Sequence, residues 1–382
     1  MSKKLYFISR DANWQHYRNE VLTYLANKHD LQVEILTIGT LKPYLKENDR
    51  LKYRIFKNVF SDDSKKSFFP GAISYFLKNR PSYILGLNNG TQITEYVSLL
   101  FCKLTGIKFI AWTHAYDHKP IKNPIKKAFK DFQNYYFFSL ADSIITFSYV
   151  GKEYLVGKGF NKDKIHVAPN TLDTNRLLAI KENIKADFDR TTFLKTLSPD
   201  LNEESKVIIF SGRLNKFKKV DAIIRAMSLL SAADPNIHLI VVGDGEERGA
   251  LTELSASLNL SKKVHFLGSV FEETIVGKYF LSSDIFIMPG YVGLAIVHAF
   301  TYGLPLITED IDFHSPEIQL LHDGQNGYFV KENDIQELAD KILFLLKDPV
   351  LLKKLSNNAL NTIHEEASID LMVGRMNTAI TQ

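Results

Sequence analysis

A guanidinium, an ammonium and a glycine turn stand where this chain could receive a diphosphate. Arg213 and Lys218 fall in SGRLNKFKK (211–219), just past an apolar strand and just before a helix beginning near Val220. Arginine grips a phosphate as a two-pronged fork and lysine as a point charge, so the pair suits a diphosphate. The alternative is two solvated loop cations, the commoner fate of either residue. The second stretch is MPGYVGLAIVHAFTYGLPLIT (288–308). It reads as the tail of a strand (Asp284–Met288), a Pro-Gly break, a loop closed by Gly293, a helix from Leu294 to about Tyr302, and a strand from Leu304. A helix that starts directly after a strand turns unpaired N–H groups and its positive dipole end on one point. In an open parallel sheet that point lies on the carboxyl edge, where ligands collect. A plain strand-to-helix turn is the other reading.

Other candidates sit at similar places. WTHAYDHK (112–119) follows a strand, which puts His114 and Asp117 at its carboxyl end. His114 either faces a cleft and touches a substrate or is an ordinary loop histidine; His118 reads as solvated. Asn170 closes the first half of the chain and either orients a ligand or shapes a turn. Glu309 and Asp310, just past a strand, read as a polar loop or as carboxylates within reach of the same crevice. The single cysteine, Cys102, lies in the apolar run Tyr96–Leu104 and reads as a buried, inert thiol. One cysteine excludes an internal disulfide and a cysteine-rich metal site, and no other convincing metal site is visible.

The elements that must hold these residues alternate along the whole chain. Strand-length apolar runs at Leu5–Ser9, Val33–Gly39, Tyr83–Asn88, Lys108–His114, Asp142–Ser148 and Ile165–Pro169 are separated by helix-period segments. The pattern restarts at Lys206–Ser211 and runs through His238–Gly243, Val264–Leu267, Asp284–Met288, Pro305–Thr308 and Tyr328–Val330. Apolar strands separated by helices mean parallel sheets covered on both faces. With 382 residues, two domains are expected, one over 1–172 and one over 206–365. A linker region with a surface helix is expected over 173–205, and 366–382 as a helix that crosses back to the first domain.

Composition narrows the classes. The chain is 45% hydrophobic and 24% charged with a net charge of +4, an ordinary globular balance too mild to argue for nucleic acid. No apolar run reaches the roughly 18 residues of a spanning helix, and the N-terminus enters a strand without a signal core. A cytoplasmic protein is expected, with Lys119–Lys130 as a basic, aromatic segment that either packs on its sheet or rests on the inner face of a membrane. FISRDANW follows the first strand in place of GxGxxG, which counts against a dinucleotide oxidoreductase.

Four further segments stand with the first of these. GRLNKFK (212–218), IHVAPNTLD (165–173), LIVVGDGEER (239–248), VHFLG (264–268) and HDGQNGYFV (322–330) resemble the signature of retaining GT-B nucleotide-sugar glycosyltransferases, family 4, the group 1 type. The resemblance implies an α/β fold of two Rossmann-like doubly wound domains facing a cleft, the first (1–172) binding the acceptor and the second (206–365) the nucleotide-sugar donor. It implies retaining transfer of a sugar from a nucleoside diphosphate to a hydroxyl of a glycan or lipid-linked acceptor, in bacterial surface-polysaccharide assembly. Arg213 and Lys218 would hold the diphosphate, helped by the N–H groups of Tyr291, Val292, Gly293 and Leu294. Gly212, Gly243, Asp244 and Gly245 would line the crevice, and Gly268 would meet the base. Asn170 and Glu317, the latter in HSPEI (314–318), would lie near the donor, and His114 near the transferred sugar. No metal or cofactor is expected, and a uridine diphosphate sugar is expected ahead of a guanosine one. The chain departs from the family at Gly290 and His298, which stand where two glutamates contact the sugar and the ribose. The rival readings are a nucleotide-sugar epimerase and a non-catalytic nucleotide-sugar-binding subunit.

Overall fold

The structure, a computed structural model, describes residues 3–10, 16–42, 45, 47–61, 66–87, 92–116 and 123–382. Asp117, His118, Lys119 and Lys122 therefore lie outside the described residues. The chain divides into two compact units, Met1–Leu172 with Ile369–Gln382, and Asp173–Ser368.

The first unit is built on β1 (Lys3–Ile8), β2 (Leu31–Ile38), β3 (Leu51–Phe56), β4 (Tyr83–Gly86), β5 (Lys108–Thr113), β6 (Ser143–Thr146) and β7 (Ile165–Val167). All pairings are parallel, in the order β3-β2-β1-β4-β5-β6-β7. Its helices are α1 (His16–Lys28), α2 (Gly71–Asn79), α3 (Ile93–Thr105), α4 (Pro124–Leu140) and α5 (Tyr149–Gly157). Because helices cover both faces, consecutive strand residues are buried whichever way they point: Tyr6, Phe7 and Ile8 are all closed to solvent. Cys102 is buried in α3, and burial pushes its thiol up to about 12, so it is not a nucleophile.

The second unit repeats the plan. Its strands are β8 (Lys206–Ser211), β9 (Ile237–Val242), β10 (Val264–Gly268), β11 (Ile285–Ile287), β12 (Leu306–Glu309) and β13 (Gly327–Val330), in the order β10-β9-β8-β11-β12-β13. The helices are α6 (Thr174–Lys185), α7 (Arg190–Leu197), α8 (Val220–Ala233), α9 (Arg248–Ser257), α10 (Glu273–Leu281), α11 (Ala295–Tyr302), α12 (Ile335–Leu346) and α13 (Pro349–Glu366). Each sheet is wound both ways from its first strand, so the order reverses between β1 and β4 and again between β8 and β11. The loops leaving the two strands at such a point diverge and leave a crevice at the carboxyl edge.

The expected linker over 173–205 is folded instead. Asp173 caps α6 by accepting from the Arg176 N–H at 3.0 Å, and Asp189 caps α7 by accepting from Thr192 at 2.7 Å. Arg190 ties α7 down through the carbonyls of Ser282 (3.0 Å) and Ser205 (2.9 Å). The buried apolar positions are sparse (Leu177, Ile184, Leu194), so the charged text conceals them. The sequence pattern does not announce α13 either, whose buried residues reduce to Leu355, Ala359, Thr362 and Ile363.

The last helix, α14 (Ile369–Thr381), belongs to the first unit. Ile369, Met372, Val373, Met376, Ala379 and Ile380 form one helical stripe and enter the same core as Val21, Leu25, Val33 and Trp112. Tyr24 donates to Asp370 at 2.9 Å, and Lys28 pairs with the same carboxylate.

Candidate active site

In the second unit the loops after β8 and β11 meet at the switch point. The Gly290 N–H donates to the Lys218 carbonyl at 3.3 Å and the Tyr291 N–H to the Phe217 carbonyl at 2.8 Å. The Lys218 ammonium returns the contact by donating to the Tyr291 carbonyl at 2.6 Å, and lies over the Tyr291 ring. Gly290 is what permits this. A Cβ there would sit 2.0 Å from the Phe217 oxygen and 2.7 Å from the Lys218 carbonyl carbon. The position has room for hydrogen only, so a glutamate cannot stand in this loop as it is packed.

Lys218 is chemically exposed in another sense. No carboxylate pairs with it among the described residues, and burial alone pulls it down to about 8. An ammonium in this state favours any anion that arrives. Beside it, neither the Gly293 nor the Leu294 N–H meets an acceptor among the described residues, and both lie at the start of α11. Two further donors expected from the sequence are taken by the protein itself: Tyr291 by Phe217, as above, and Val292 by His314 Nδ1 at 3.1 Å. The N–H groups left open are thus those of the second half of the turn, Gly293 and Leu294, and not those of the first.

Arg213 does not join Lys218. Its side chain is 74% exposed and sits 3.4 Å from Glu246. Gly212, Gly243 and Gly268 close the ends of β8, β9 and β10 in one row: Gly212 donates to the Val242 carbonyl at 3.0 Å and Gly243 to the Gly268 carbonyl at 2.8 Å. A Cβ on Gly243 would lie 1.9 Å from the Gly212 oxygen, and one on Gly245 2.2 Å from the Leu214 oxygen. Asp244 accepts from the Gly245 N–H at 2.8 Å, so its carboxylate shapes the turn.

His298 lies one turn into α11 and is not a lone histidine. Its Nε2 is 2.8 Å from the Glu273 carboxylate, its ring stacks on Phe280, and Tyr302 donates to the same carboxylate at 2.9 Å. Burial would push the Glu273 carboxyl up, but the hydrogen bonds from His298 and Tyr302 outweigh it and hold it below the usual range. A glutamate at 298 would bring two carboxylates together. Glu309 is also occupied: it is buried, and Lys219 Nζ reaches it at 2.5 Å and Glu332 at 2.9 Å. Burial lowers Lys219 less than those two carboxylates raise it. The Asp310 N–H donates to the Val330 carbonyl at 2.8 Å. Glu317 is not at a surface helix start; it is 3% exposed in the short helix Pro316–Leu320.

His314 and Lys219 are the members that the sequence gives no signal for. His314 is buried, accepts from Val292 and donates from Nε2 to the Glu309 carbonyl at 2.8 Å, so it braces the glycine loop as the neutral tautomer. Burial lowers its pKa, against smaller upward effects of the Glu309 carbonyl and Asp310; Lys218 and Lys219 lower it further. A depressed folded value means that the histidine's contribution is complete above its ordinary 6.5 and is lost as pH falls through the folded value. Thermal melting is expected to fall as pH drops below 6.5. His314→Ala should flatten that limb and cost about 1–3 kcal/mol at neutral pH, because two buried backbone groups lose their partner. Identical pH profiles for the two proteins would remove His314 from this role.

The remaining two candidates belong to the first unit. His114 follows β5 with its ring 4.5 Å from that of Phe147, and Asn170 is 5% exposed.

Residues 196–362 match the family model described as Glycosyl transferases group 1, and residues 20–176 that described as Glycosyltransferase Family 4. An uncharacterized glycosyltransferase of Haemophilus influenzae is 25% identical over 87% of this chain and 86% of its own length. Among solved structures, a glycosyltransferase from Rickettsia africae superposes with a TM-score of 0.76 at 19% identity, covering 99% of this chain and 97% of that one. HepE of Anabaena in complex with UDP does so with a TM-score of 0.72 at 15% identity, covering 99% of each chain. The structural neighbours carry the fold, two Rossmann-like domains of the GT-B kind, and the family models fall on both halves of the sequence. The chain belongs to the GT-B glycosyltransferases of the group 1, family 4 type.

Proposed function

We propose that the chain transfers a sugar from a nucleoside diphosphate sugar to a hydroxyl acceptor with retention of anomeric configuration. The observation that carries this reading is Lys218: a half-buried ammonium with no carboxylate partner among the described residues, beside the open N–H groups of Gly293 and Leu294. Glycosyl transfer from such a donor builds negative charge on the departing diphosphate, and prearranged positive groups at that point lower the barrier. Lys218 and the start of α11 would take the inner phosphate. Arg213, held only by an exposed pair with Glu246, would turn onto the outer face, since such pairs contribute little. In a front-face displacement the bond from the anomeric carbon to the phosphate oxygen breaks as the acceptor oxygen bonds on the same side. The acceptor's proton passes to the departing phosphate. His298, oriented by Glu273, is proposed at the ribose, where an imidazole nitrogen can accept or donate one hydrogen bond. Gly212, Gly243, Asp244, Gly268 and Glu317 are proposed to line the donor site, Asn170 to orient the donor and His114 to touch the transferred sugar. Surface-polysaccharide assembly as the setting rests on the family resemblance.

The test is a melting screen against nucleoside diphosphates and their sugars, followed by turnover with hydroxyl acceptors. A nucleotide held at about a hundred times its Kd adds about 2.7 kcal/mol, a shift of several degrees. Uridine diphosphate is expected to give the larger shift, and nucleotide release is expected only when an acceptor is present. An isomerised donor would replace this reading with epimerisation, and tight binding without turnover would replace it with a binding subunit.

A further inference from the structure

The far edge of the first sheet is lined with cations. β7 is the last strand in its order, so one side of it meets no neighbouring strand. Beside it opens a cavity of about 790 Å³, bounded by α5, β7 and α14. Three elements each set a cation on its wall: Lys162 from the short helix Lys162–Lys164, Lys152 from α5 and Arg375 from α14. The three follow the strand in turn. Lys162 lies just before its first residue. At its middle residue, His166, burial first and then the Lys152 ammonium hold the imidazole below its ordinary 6.5. At its last residue, Arg375 donates to the Val167 carbonyl at 3.4 Å. A strand of this length spans about 10 Å.

One acid, Glu153, shares the lining, and none of the three cations forms an ion pair among the described residues. Cations gathered at a point suit a single phosphate, whereas cations in a row suit a chain that carries its negative charges at intervals. The Tyr149 ring is 53% exposed under the Arg375 guanidinium, at 5.9 Å, and offers a flat apolar face to a sugar ring. The volume lies within the range of small-molecule sites, roughly 300–1,000 Å³, and has room for a short saccharide. This cavity is not the crevice of its sheet. That crevice belongs to the switch point between β1 and β4, and β7 stands three strands beyond β4. The proposed diphosphate site belongs to the second unit.

We propose that this edge binds an acidic oligosaccharide, whose successive carboxylates or phosphates meet Lys162, Lys152 and Arg375 while one sugar ring rests on Tyr149. That the polyanion is a saccharide rests on the transfer reading; that the edge takes a polyanion does not. The full chain is titrated by calorimetry with tetragalacturonate, neutral maltotetraose, inorganic phosphate and hexathymidylate. Tetragalacturonate is expected to bind at least about tenfold more tightly than phosphate or hexathymidylate, and maltotetraose not to bind. The double variant Lys152→Gln, Lys162→Gln should weaken tetragalacturonate by at least about tenfold, because two charge-assisted contacts are lost. Lys162→Gln alone, at an exposed position, repeats the test with a loss of at least about threefold should the double variant melt early. The titration of His166, followed by NMR of the histidine-labelled chain, should move upward on saturation, since a carboxylate beside Lys152 offsets the charge that depresses it. No binding of tetragalacturonate, equally tight binding of any of the other three probes, affinity unchanged in a folded lysine variant, or a His166 titration that the ligand does not move would each overturn the proposal. The lysine variants should keep the melting shift with nucleotide, which is read on the other unit, so failure here and failure of the transfer reading are separable.

Discussion

Lys218→Ala is expected to lower turnover by about a hundred- to a thousandfold, the loss seen when one charge-stabilising donor is removed from a prearranged site. The same change should leave melting within a few degrees of wild type. The hydrogen bond to the Tyr291 carbonyl is lost, but so is a half-buried ammonium that no carboxylate among the described residues neutralises. That combination separates a ligand-binding lysine from a structural one, whose removal would unfold the loop. The pH dependence has a definite sign. Burial lowers Lys218 to about 8, so above that value the free protein holds a neutral amine, and affinity for a nucleoside diphosphate should decline as pH rises through it. Lys218→Ala should bind weakly at every pH and show no such limb. Activity within threefold of wild type would eliminate Lys218 as the diphosphate ligand.

Gly290→Ala is the second large effect, and it works through the backbone. The added methyl would meet the Phe217 oxygen at 2.0 Å, and main chain cannot step aside as a flexible side chain can. Overpacking of this kind costs about 1–3 kcal/mol, or roughly 2–12 °C for a unit of this size. The two loops must part, so Lys218 leaves the glycine turn and nucleotide binding falls with stability. Gly293→Ala is the control: its nearest neighbours would be 3.7 and 3.8 Å away, ordinary contact distances. It should melt like the wild type. Equal melting of both variants would show that the loops do not touch as described. A glutamate at Gly290, the residue that the family resemblance implies there, would meet the same carbonyl oxygen, and introducing it is expected to damage the site.

Much of this was legible beforehand. Apolar strand runs and helix periods were enough for two doubly wound sheets, because a strand covered on both faces must be apolar at every position, and that is visible in a window of six residues. Strand-end residues such as Arg213, Lys218 and Gly293 were equally visible, since the carboxyl edge follows from the order of strand and helix. What the sequence does not carry is which partner each group finds. That the Val292 N–H goes to His314, that Lys219 goes to Glu309, and that His298 goes to Glu273 are contacts across 22, 90 and 25 residues. They depend on strand order and loop height, not on any local spacing. For the same reason the Tyr291 and Val292 N–H groups looked available and are not. The helices at 173–205 were hidden by a different cause: few of their side chains are buried, and the capping aspartates, Asp173 and Asp189, are the clearer signal.

The placement of α14 has a bearing on how the chain is made. Its methionines and isoleucines complete the core that Val33 and Trp112 begin, yet they leave the ribosome after all of Asp173–Ser368. At roughly 5–20 residues per second that interval is about 10–40 s. The amino-terminal unit is thus translated first and finished last. Its sheet waits with the part of one face that α14 covers still open, α1 alone lying on the rest, while the later unit, contiguous in sequence, can close on its own, reversing the usual vectorial order of domain maturation.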